Sequence, residues 1–214
     1  MRYGILIAVL AADIALALYS VFFGYNPEFL PYADPTSYRI LYIHIPLAWN
    51  MYLAFTITLV SSILFLTRGS LKYDTISFCS TVLGVVYGFG GIVTGMIWAN
   101  EVWGMPWSWD PRQTTTLIAL LSYLGYIALR TSITDVEKAR IISCVYGVSA
   151  YIMIPLSYLS SVMFRSLHTQ LPQQPLSPEA YILLSLRVLT SVVLFITLLK
   201  IYYSSALRRR CGGG

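Results

Sequence analysis

Long apolar runs alternate with short polar connections along the whole chain. A helix that crosses a bilayer needs about 20 predominantly apolar residues, and six stretches reach about that length. They lie at roughly 4–24, 40–66, 75–98, 114–130, 140–163 and 179–203. The first is long, carries Asp13 and lacks a clear cleavage site, so it is predicted to be a helix and not a signal peptide. The pattern predicts an all-α integral membrane protein, a six-helix bundle in one domain over 1–214.

Composition supports a membrane location and argues against a soluble protein. Hydrophobic residues make up 57% of the chain and charged residues 11%, against about 25% charged residues in ordinary soluble domains. Mean hydropathy is +0.69. The net charge of +5 does not indicate nucleic-acid binding, because the basic residues fall between apolar spans, where they set topology.

The distribution of lysine and arginine predicts the orientation. With both termini inside, ten of the 14 basic residues fall on the inner side: Arg2, Arg68, Lys72, Arg130, Lys138, Arg140, Lys200, Arg208, Arg209 and Arg210. The outer side then holds Arg39, Arg112, Arg165 and Arg187. The positive-inside rule therefore predicts cytoplasmic termini in the cytoplasmic (inner) membrane, with outer segments at about 25–39, 99–113 and 164–178.

One outer segment concentrates the aromatic residues. Four of the five tryptophans lie between Trp98 and Thr114, in the sequence W-A-N-E-V-W-G-M-P-W-S-W-D-P-R-Q-T. One or two tryptophans would suffice to anchor a loop at the interface, and a general aromatic belt would occupy both interfaces. Indole rings offer flat apolar faces for stacking. The stretch is therefore predicted to be a surface loop that forms a platform for a flat, apolar, anionic ligand such as haem.

The chain has two histidines, His44 and His168, and both are predicted near the outer surface on separate segments. Neutral imidazoles are common metal ligands, and one on each side of a porphyrin completes the axial coordination of its iron. The alternative is that both are ordinary interfacial polar residues. Trp49 lies about one turn beyond His44 and joins the tryptophan group, and Pro46 is expected to kink its helix and help aim His44 outward.

An acid–base pair follows the tryptophans at once. Asp110 and Arg112 either brace the loop, which spacing alone favours, or Arg112 pairs with a ligand carboxylate. Arg39 and Arg165 are weaker candidates for such a contact.

Other features of the spans indicate helix packing. The G-x-x-x-G spacings Gly84–Gly88 and Gly91–Gly95 allow close helix approach and are assigned no chemistry. Pro155 is expected to kink its helix. Asp13 lies near mid-depth of the first span, and a structural role is favoured over a proton pathway, which would need several such groups.

The segment W-G-M-P-W-S-W-D-P-R-Q-T resembles the tryptophan-rich W-G-x-x-W-x-W-D-x-R-x-T signature of the haem-handling proteins of cytochrome c biogenesis. The stretches Y-R-I-L-Y-I-H-I-P at 38–46 and S-L-H-T-Q at 166–170 are similar to that family at its two histidines. The resemblance covers the second to the sixth span in order. It implies that His44 and His168 are axial ligands, and that Trp103, Trp107, Trp109 and Asp110 belong to a haem-holding loop.

Members of that family present haem, bound non-covalently and transiently, to a membrane-anchored haem chaperone, and they work with the ATPase and permease subunits of an ABC-type complex. The chain itself contains no G-x-x-x-x-G-K-[ST] nucleotide motif and no arrangement typical of a hydrolase. The resemblance thus implies a transfer factor and not an enzyme. The rival hypothesis is a bis-histidine b-type cytochrome subunit, whose histidines would lie deep in the helices and whose haem would stay bound.

Overall fold

The computed structural model describes residues 2–25, 35–168 and 176–211, and all regular elements in these ranges are helical. They are α1 (Arg2–Phe23), a 3-10 helix (Pro35–Ile40), α2 (Leu41–Arg68), α3 (Leu71–Trp103), α4 (Pro111–Ser132), α5 (Val136–Ala150), α6 (Met153–Met163) and α7 (Pro178–Cys211). The predicted outer segments at 25–39 and 164–178 lie partly outside the described residues.

Five helical stretches in the described ranges are long and apolar enough to cross a membrane. They are Gly4–Phe23, Thr36–Arg68, Leu71–Trp103, Val136–Met163 and Pro178–Arg208. The all-α, multi-pass membrane architecture is confirmed. Helix α4 has 22 residues but is less apolar, since its first two turns contain Arg112, Gln113 and three consecutive threonines. The count of six spans therefore stays a prediction.

Helix α3 is longer than the predicted span at 75–98, and this corrects the position of Trp103, which the pattern placed in the outer segment at 99–113. It continues through Trp98 to Trp103 and ends only at Gly104, whose φ of 75° gives the left-handed C-cap that glycine adopts without strain. The loop between α3 and α4 is therefore short, and Trp98 and Trp103 are helical residues.

Pro155 interrupts the fifth predicted span, as expected. The α-helical pattern breaks between α5 and α6, where the N–H groups of Tyr151 and Ile152 donate to carbonyls only three residues back, at 3.4 Å each. A proline supplies no N–H for the carbonyl four residues earlier, here that of Tyr151. That carbonyl accepts instead from the Ile154 N–H at 2.9 Å.

Pro46 stays inside a continuous α2, and the carbonyl it leaves free finds a partner on another helix. The acceptor four residues earlier is the carbonyl of Tyr42, and the buried Arg187 of α7 donates its Nε–H to it at 3.1 Å. Because this carbonyl lies two residues before His44, α7 is fastened to α2 next to that histidine.

Arg187 also pairs with Asp13, and this corrects its assignment to the outer surface. Its Nη1 lies 2.6 Å from Asp13 Oδ1, and Thr190 donates its hydroxyl to the same carboxylate oxygen at 3.0 Å. A charge that is paired inside the bundle does not set topology, so three basic residues remain on the predicted outer side. The pair joins α1 to α7, which supports the structural role expected for Asp13.

Arg187→Leu is expected to destabilise the protein by about 3 kcal/mol, because it leaves the Asp13 carboxylate, whose side chain is only 13% exposed, without a counter-charge inside the bundle. The double variant Asp13→Leu with Arg187→Leu should recover much of that loss, since no unpaired charge remains. Unfolding titrations in detergent provide the measurement. Equal losses in the single and double variants would contradict a coupled pair.

Both ends of α4 are fixed to neighbouring helices. Near its C-terminus, Arg130 makes a bidentate pair with the buried Asp74 in the first turn of α3, at 2.6 and 2.7 Å. Near its N-terminus, the Thr115 hydroxyl lies 3.1 Å from that of Ser160 in α6. Helix α4 thus runs back along α3 toward the level at which α3 begins.

The glycine spacings of α3 allow the close approach to α2 that the sequence predicted. A Cβ placed on Gly84 would lie 2.6 Å from the Phe55 ring, and one on Gly88 would lie 2.8 Å from Met51 Sδ. Phe55 in turn stacks on Tyr123 of α4, with ring centroids 3.7 Å apart. Along α2, this packed centre lies nearer to the C-terminus of the helix than His44 does.

Candidate functional site

Asp110 caps the short loop onto helix α4. Its Oδ1 accepts from the backbone N–H of Arg112 at 2.9 Å and of Gln113 at 3.4 Å, and Pro111 occupies the first helical position. A carboxylate at the N-cap followed by proline is a favourable helix start. The expected bracing role therefore belongs to Asp110.

The same carboxylate holds the segment that follows α6. Asp110 is 3% exposed and accepts from the Ser166 hydroxyl at 2.8 Å, the Leu167 N–H at 2.6 Å and His168 Nδ1 at 2.9 Å. Burial alone raises a carboxyl pKa, but these hydrogen bonds outweigh it and hold the pKa of Asp110 well below its usual range. Asp110 is thus an ionised acceptor that fixes His168.

His44 is fixed in the corresponding way by α3. Its Nδ1 lies 3.0 Å from the carbonyl oxygen of Gly91 and 3.2 Å from the Thr94 hydroxyl oxygen. Because a carbonyl only accepts, Nδ1 is the protonated nitrogen. Gly95 makes room for the ring, since a Cβ there would lie 2.9 Å from His44 Cε1. Sequence reasoning missed these contacts, because only the pairing of α2 with α3 places the glycines against the histidine.

The two imidazoles line one cavity and are both held through Nδ1. Each has its Nδ1 engaged by an oxygen, and neither Nε2 has a hydrogen-bond partner within the part of the chain that the structure describes. An imidazole whose Nδ1–H is held by a carbonyl or carboxylate presents its Nε2 lone pair as a metal ligand. The site therefore offers two oriented nitrogen ligands from different segments.

The cavity has a volume of about 200 Å³, and its walls are mainly apolar. They come from α2, α3, the first turns of α4, and the residues His168 and Leu176. Besides the two histidines, the walls include Leu41, Ile45, Ala48, Trp49, Met51, Tyr52, Gly88, Ile92, Met96, Trp98, Trp107, Arg112, Gln113, Thr116 and Leu176.

The two helical tryptophans support His168 from one side. The ring of Trp103 meets the imidazole edge-to-face at a centroid distance of 5.0 Å, and Trp98 packs on Trp103 at 4.9 Å. Trp98 also lines the cavity, whereas Trp103 does not. Trp103 thus packs on His168 and does not form part of the cavity wall.

The loop tryptophans point in different directions. Trp107 lines the cavity, and Trp109 packs edge-to-face on it at 5.8 Å. Trp109 itself is 73% exposed and has a φ of 57°, which is strained for a bulky residue. Trp49 also lines the cavity, from α2. The predicted three-tryptophan platform therefore places only Trp107 at the cavity wall.

Arg112 lines the cavity, and its guanidinium has no hydrogen-bond or ion-pair partner among the described residues. Asp110 accepts a hydrogen bond from the backbone N–H of Arg112 and not from its side chain. Arg39 is engaged elsewhere, since its Nη1 donates to the Phe22 carbonyl at the end of α1 at 2.6 Å. Arg165 is exposed. Arg112 is therefore the cation best placed to meet an anionic group in the cavity.

Gln113 fixes the tryptophan loop, a role that sequence reasoning did not assign. Its Oε1 accepts from both the N–H and the hydroxyl of Ser108 at 3.2 Å, and its Nε2 donates to the Pro106 carbonyl at 3.4 Å. These bonds hold the residues that flank Trp107 onto the first turn of α4.

Gly95→Ala is expected to lower ligand affinity roughly tenfold, because the added methyl group displaces the His44 ring from its hydrogen bond. Gly90→Ala is the matched control on the same helix, since its Cβ would meet only the mobile end of Leu47, at 3.3 Å. Equilibrium titration of both variants with haem is the measurement. Equal affinities would show that Gly95 does not position His44.

Comparison with known proteins places the chain in a family. The family model described as CcmC, heme exporter protein C, matches residues 2–211. A ccmC-like mitochondrial cytochrome c biosynthesis protein of Marchantia polymorpha is 33% identical over 132 residues, which cover 62% of this chain and 55% of that protein. The match thus spans about half the length of that relative.

Two bacterial relatives are both described as heme exporter protein C. That of Paracoccus denitrificans is 28% identical over 209 residues, which cover 94% of this chain and 86% of the relative. That of Escherichia coli K12 is 29% identical over 147 residues, which cover 68% and 59%. Since the family model spans almost the whole chain, the chain belongs to the CcmC heme exporter protein C family.

Proposed function

We propose that the protein binds haem non-covalently between His44 and His168 and passes it on during c-type cytochrome biogenesis. The observation that carries the proposal is the matched state of the two imidazoles, each with Nδ1 fixed and Nε2 free at one cavity. The chain has only two histidines. Two axial nitrogens complete the coordination of a porphyrin iron, which brings four nitrogens of its own.

The remaining cavity residues suit the rest of a haem molecule. Trp107 and Trp49 offer apolar faces to the macrocycle. The guanidinium of Arg112 is the partner for a propionate, with which it can form paired hydrogen bonds. Trp103 and Asp110 act through His168, and exposed Trp109 belongs to the surface beside the site.

We infer that α4 crosses the membrane with the other spans. Its 22 residues correspond to about 33 Å of helix, against about 30 Å for the hydrocarbon core. It starts at the level of His168, to which Asp110 is bonded, and ends at Asp74 in the first turn of α3. Six spans place both termini on the same side, the cytoplasmic side of the inner membrane by the positive-inside rule. The haem site then faces outward.

Transfer is the role that the family supports. The curated relatives are named as haem exporters and cytochrome c biosynthesis proteins, which makes the family one of transport components and not of enzymes. The proposed recipient is a membrane-anchored haem chaperone, and an ABC-type ATPase with its permease supplies the ATP chemistry. Exposed Trp109 lies beside the cavity on this outward side and is available to a partner.

Haem lability tests this function against a haem-retaining b-type cytochrome. The haem-loaded protein is mixed with the soluble domain of the chaperone, and the haem content of each is measured after separation. Transfer to the chaperone, with little loss to an equal amount of albumin, is the expected result. Haem that stays with the membrane protein despite excess chaperone would support the electron-transfer role.

A further inference from the structure

One wall of the cavity is exposed to the surroundings of the protein. Among the described residues that line it, Trp49 alone is exposed, with 55% of its surface accessible, and all others are buried or half-buried. Because Trp49 lies on a helix that is long and apolar enough to cross a membrane, its exposed face is available to lipid. The cavity is therefore bounded on one side by a residue that is also accessible from outside the helix bundle.

The neighbours of Trp49 show where this side of the cavity lies. Ile45, Trp49 and Tyr52 share one face of α2 at i, i+4 and i+7, and all three line the cavity. Ile45 packs against the cluster that Tyr42 of α2 forms with Leu183 and Leu184 of α7. Tyr52 accepts a hydrogen bond from the hydroxyl of Ser157 in α6 at 3.2 Å. Trp49 thus lies between the α7 contact and the α6 contact of this face.

The two flanking helices pack on different partners. Helix α6 packs against α4, whereas α7 packs against α1, α2 and α3. The strip of α2 between them, where Trp49 lies, is the part of α2 that faces away from the helix bundle.

The depth of Trp49 matches that of a membrane-dissolved haem. It lies about 28 Å along α2 from Arg68 at the inner end, so it sits near the outer edge of a hydrocarbon core about 30 Å thick. A haem in a bilayer places its apolar ring among the acyl chains and its propionates among the headgroups. That orientation brings the ring to the level of Trp49, with the carboxylates outward.

We infer that Trp49 marks a lateral doorway, through which haem passes directly between the outer leaflet and the cavity without crossing water. The inference rests on the proposed haem-binding function. Half-buried Ile45 and Ala48 continue the apolar surface from Trp49 to His44, so the ring stays in apolar surroundings along the whole path. Arg112 meets the propionates at the end of the path.

The test uses the full chain reconstituted without haem in vesicles whose lipid has been preloaded with haem. Excess apomyoglobin in the aqueous phase captures any haem that leaves the bilayer. A lateral route predicts that the bis-histidine spectrum develops at a rate independent of the apomyoglobin concentration. A rate that falls as apomyoglobin rises would overturn the doorway, because it would show passage through water. His44→Ala in the same vesicles controls for haem that merely dissolves in lipid.

A separate vesicle sample receives aqueous haem without scavenger. No bis-histidine spectrum from either source would refute the haem-binding function and the doorway with it, whereas loading from water alone would refute only the doorway.

Substitution of the doorway residue gives a second readout. Trp49→Ala removes the indole that both lines the cavity and is exposed at the surface, and it is expected to accelerate loading from lipid several-fold. Phe89→Ala is the matched control, since Phe89 is 66% exposed on α3 and does not line the cavity. Equal acceleration by the two substitutions, or none by either, would contradict the assignment to Trp49.

Discussion

Replacing either His44 or His168 with alanine is expected to abolish the low-spin bis-histidine spectrum of the haem-loaded protein. Each side chain supplies one free Nε2 to the same cavity, so removal of one leaves a single axial nitrogen. Five-coordinate, high-spin iron should replace the six-coordinate form. Absorption spectra of the oxidised and reduced variants are the measurement.

Rescue with free imidazole separates ligation from folding. Because the alanine variants keep the cavity and lose only the ring, added imidazole should restore the low-spin spectrum in each. Wild-type spectra in both variants without imidazole would contradict the ligand assignment. Failure of rescue, with normal membrane insertion and normal unfolding, would show that the histidines act on the structure of the cavity and not on iron.

Asp110→Asn and Asp110→Ala are expected to lower haem affinity by roughly tenfold to a hundredfold, the usual effect of losing the group that orients a metal-binding histidine. Asn still caps a helix well, whereas Ala does not and costs about 1 kcal/mol more in stability. Haem titration and thermal unfolding of both variants separate these effects. Affinity should fall in both, and helix stability mainly in the alanine variant.

Asp135→Ala is the matched control for the capping function. Asp135 caps α5 by accepting from the N–H groups of Glu137 and Lys138, both at 3.0 Å, and it lies away from the cavity. Its loss should lower stability and leave haem affinity unchanged. If Asp135→Ala weakened haem binding as much as Asp110→Ala, the effect would come from helix capping and not from the Asp110–His168 contact.

The Asp110 carboxylate also has a defined pH dependence. Its pKa in the folded protein lies below that in the unfolded chain, so its contribution to stability is fully present above the ordinary carboxyl pKa of about 4. That contribution is lost only as the pH falls through the lowered value. As the pH falls below about 4, wild type should therefore lose stability that Asp110→Asn does not lose, because only the wild type has this carboxylate to protonate.

The apolar periodicity and the breakers predicted most of the helices. Runs of about 20 apolar residues identified α1, α2 and α7, and Pro155 predicted the interruption between α5 and α6. The sequence pattern ends α3 too early, because tryptophans and an Asn–Glu pair are typical of a loop, whereas the residue that ends the helix is Gly104.

The contacts between helices could not be predicted from the amino-acid sequence alone. Arg187 looked like an outer charge because its partner, Asp13, lies 174 residues away in sequence. The carbonyl freed by Pro46 explains why an arginine is needed on α7, but only the packed structure brings them together.

The candidate site was predicted in its residue types and not in its arrangement. His44, His168, Trp107 and Arg112 do line one cavity. The G-x-x-x-G spacing indicated close packing, yet it gave no sign that Gly91 and Gly95 would hold an imidazole. Asp110 was expected to brace its own loop, whereas it also fixes His168 across 58 positions of sequence.

The central claim is that the two histidines bind the same iron. Electron paramagnetic resonance of the oxidised wild-type protein, with one equivalent of haem, tests it most directly. Low-spin signals typical of two imidazole ligands, lost in His44→Ala and in His168→Ala, are the predicted result. A high-spin signal in the wild type, unchanged in both variants, would contradict the claim.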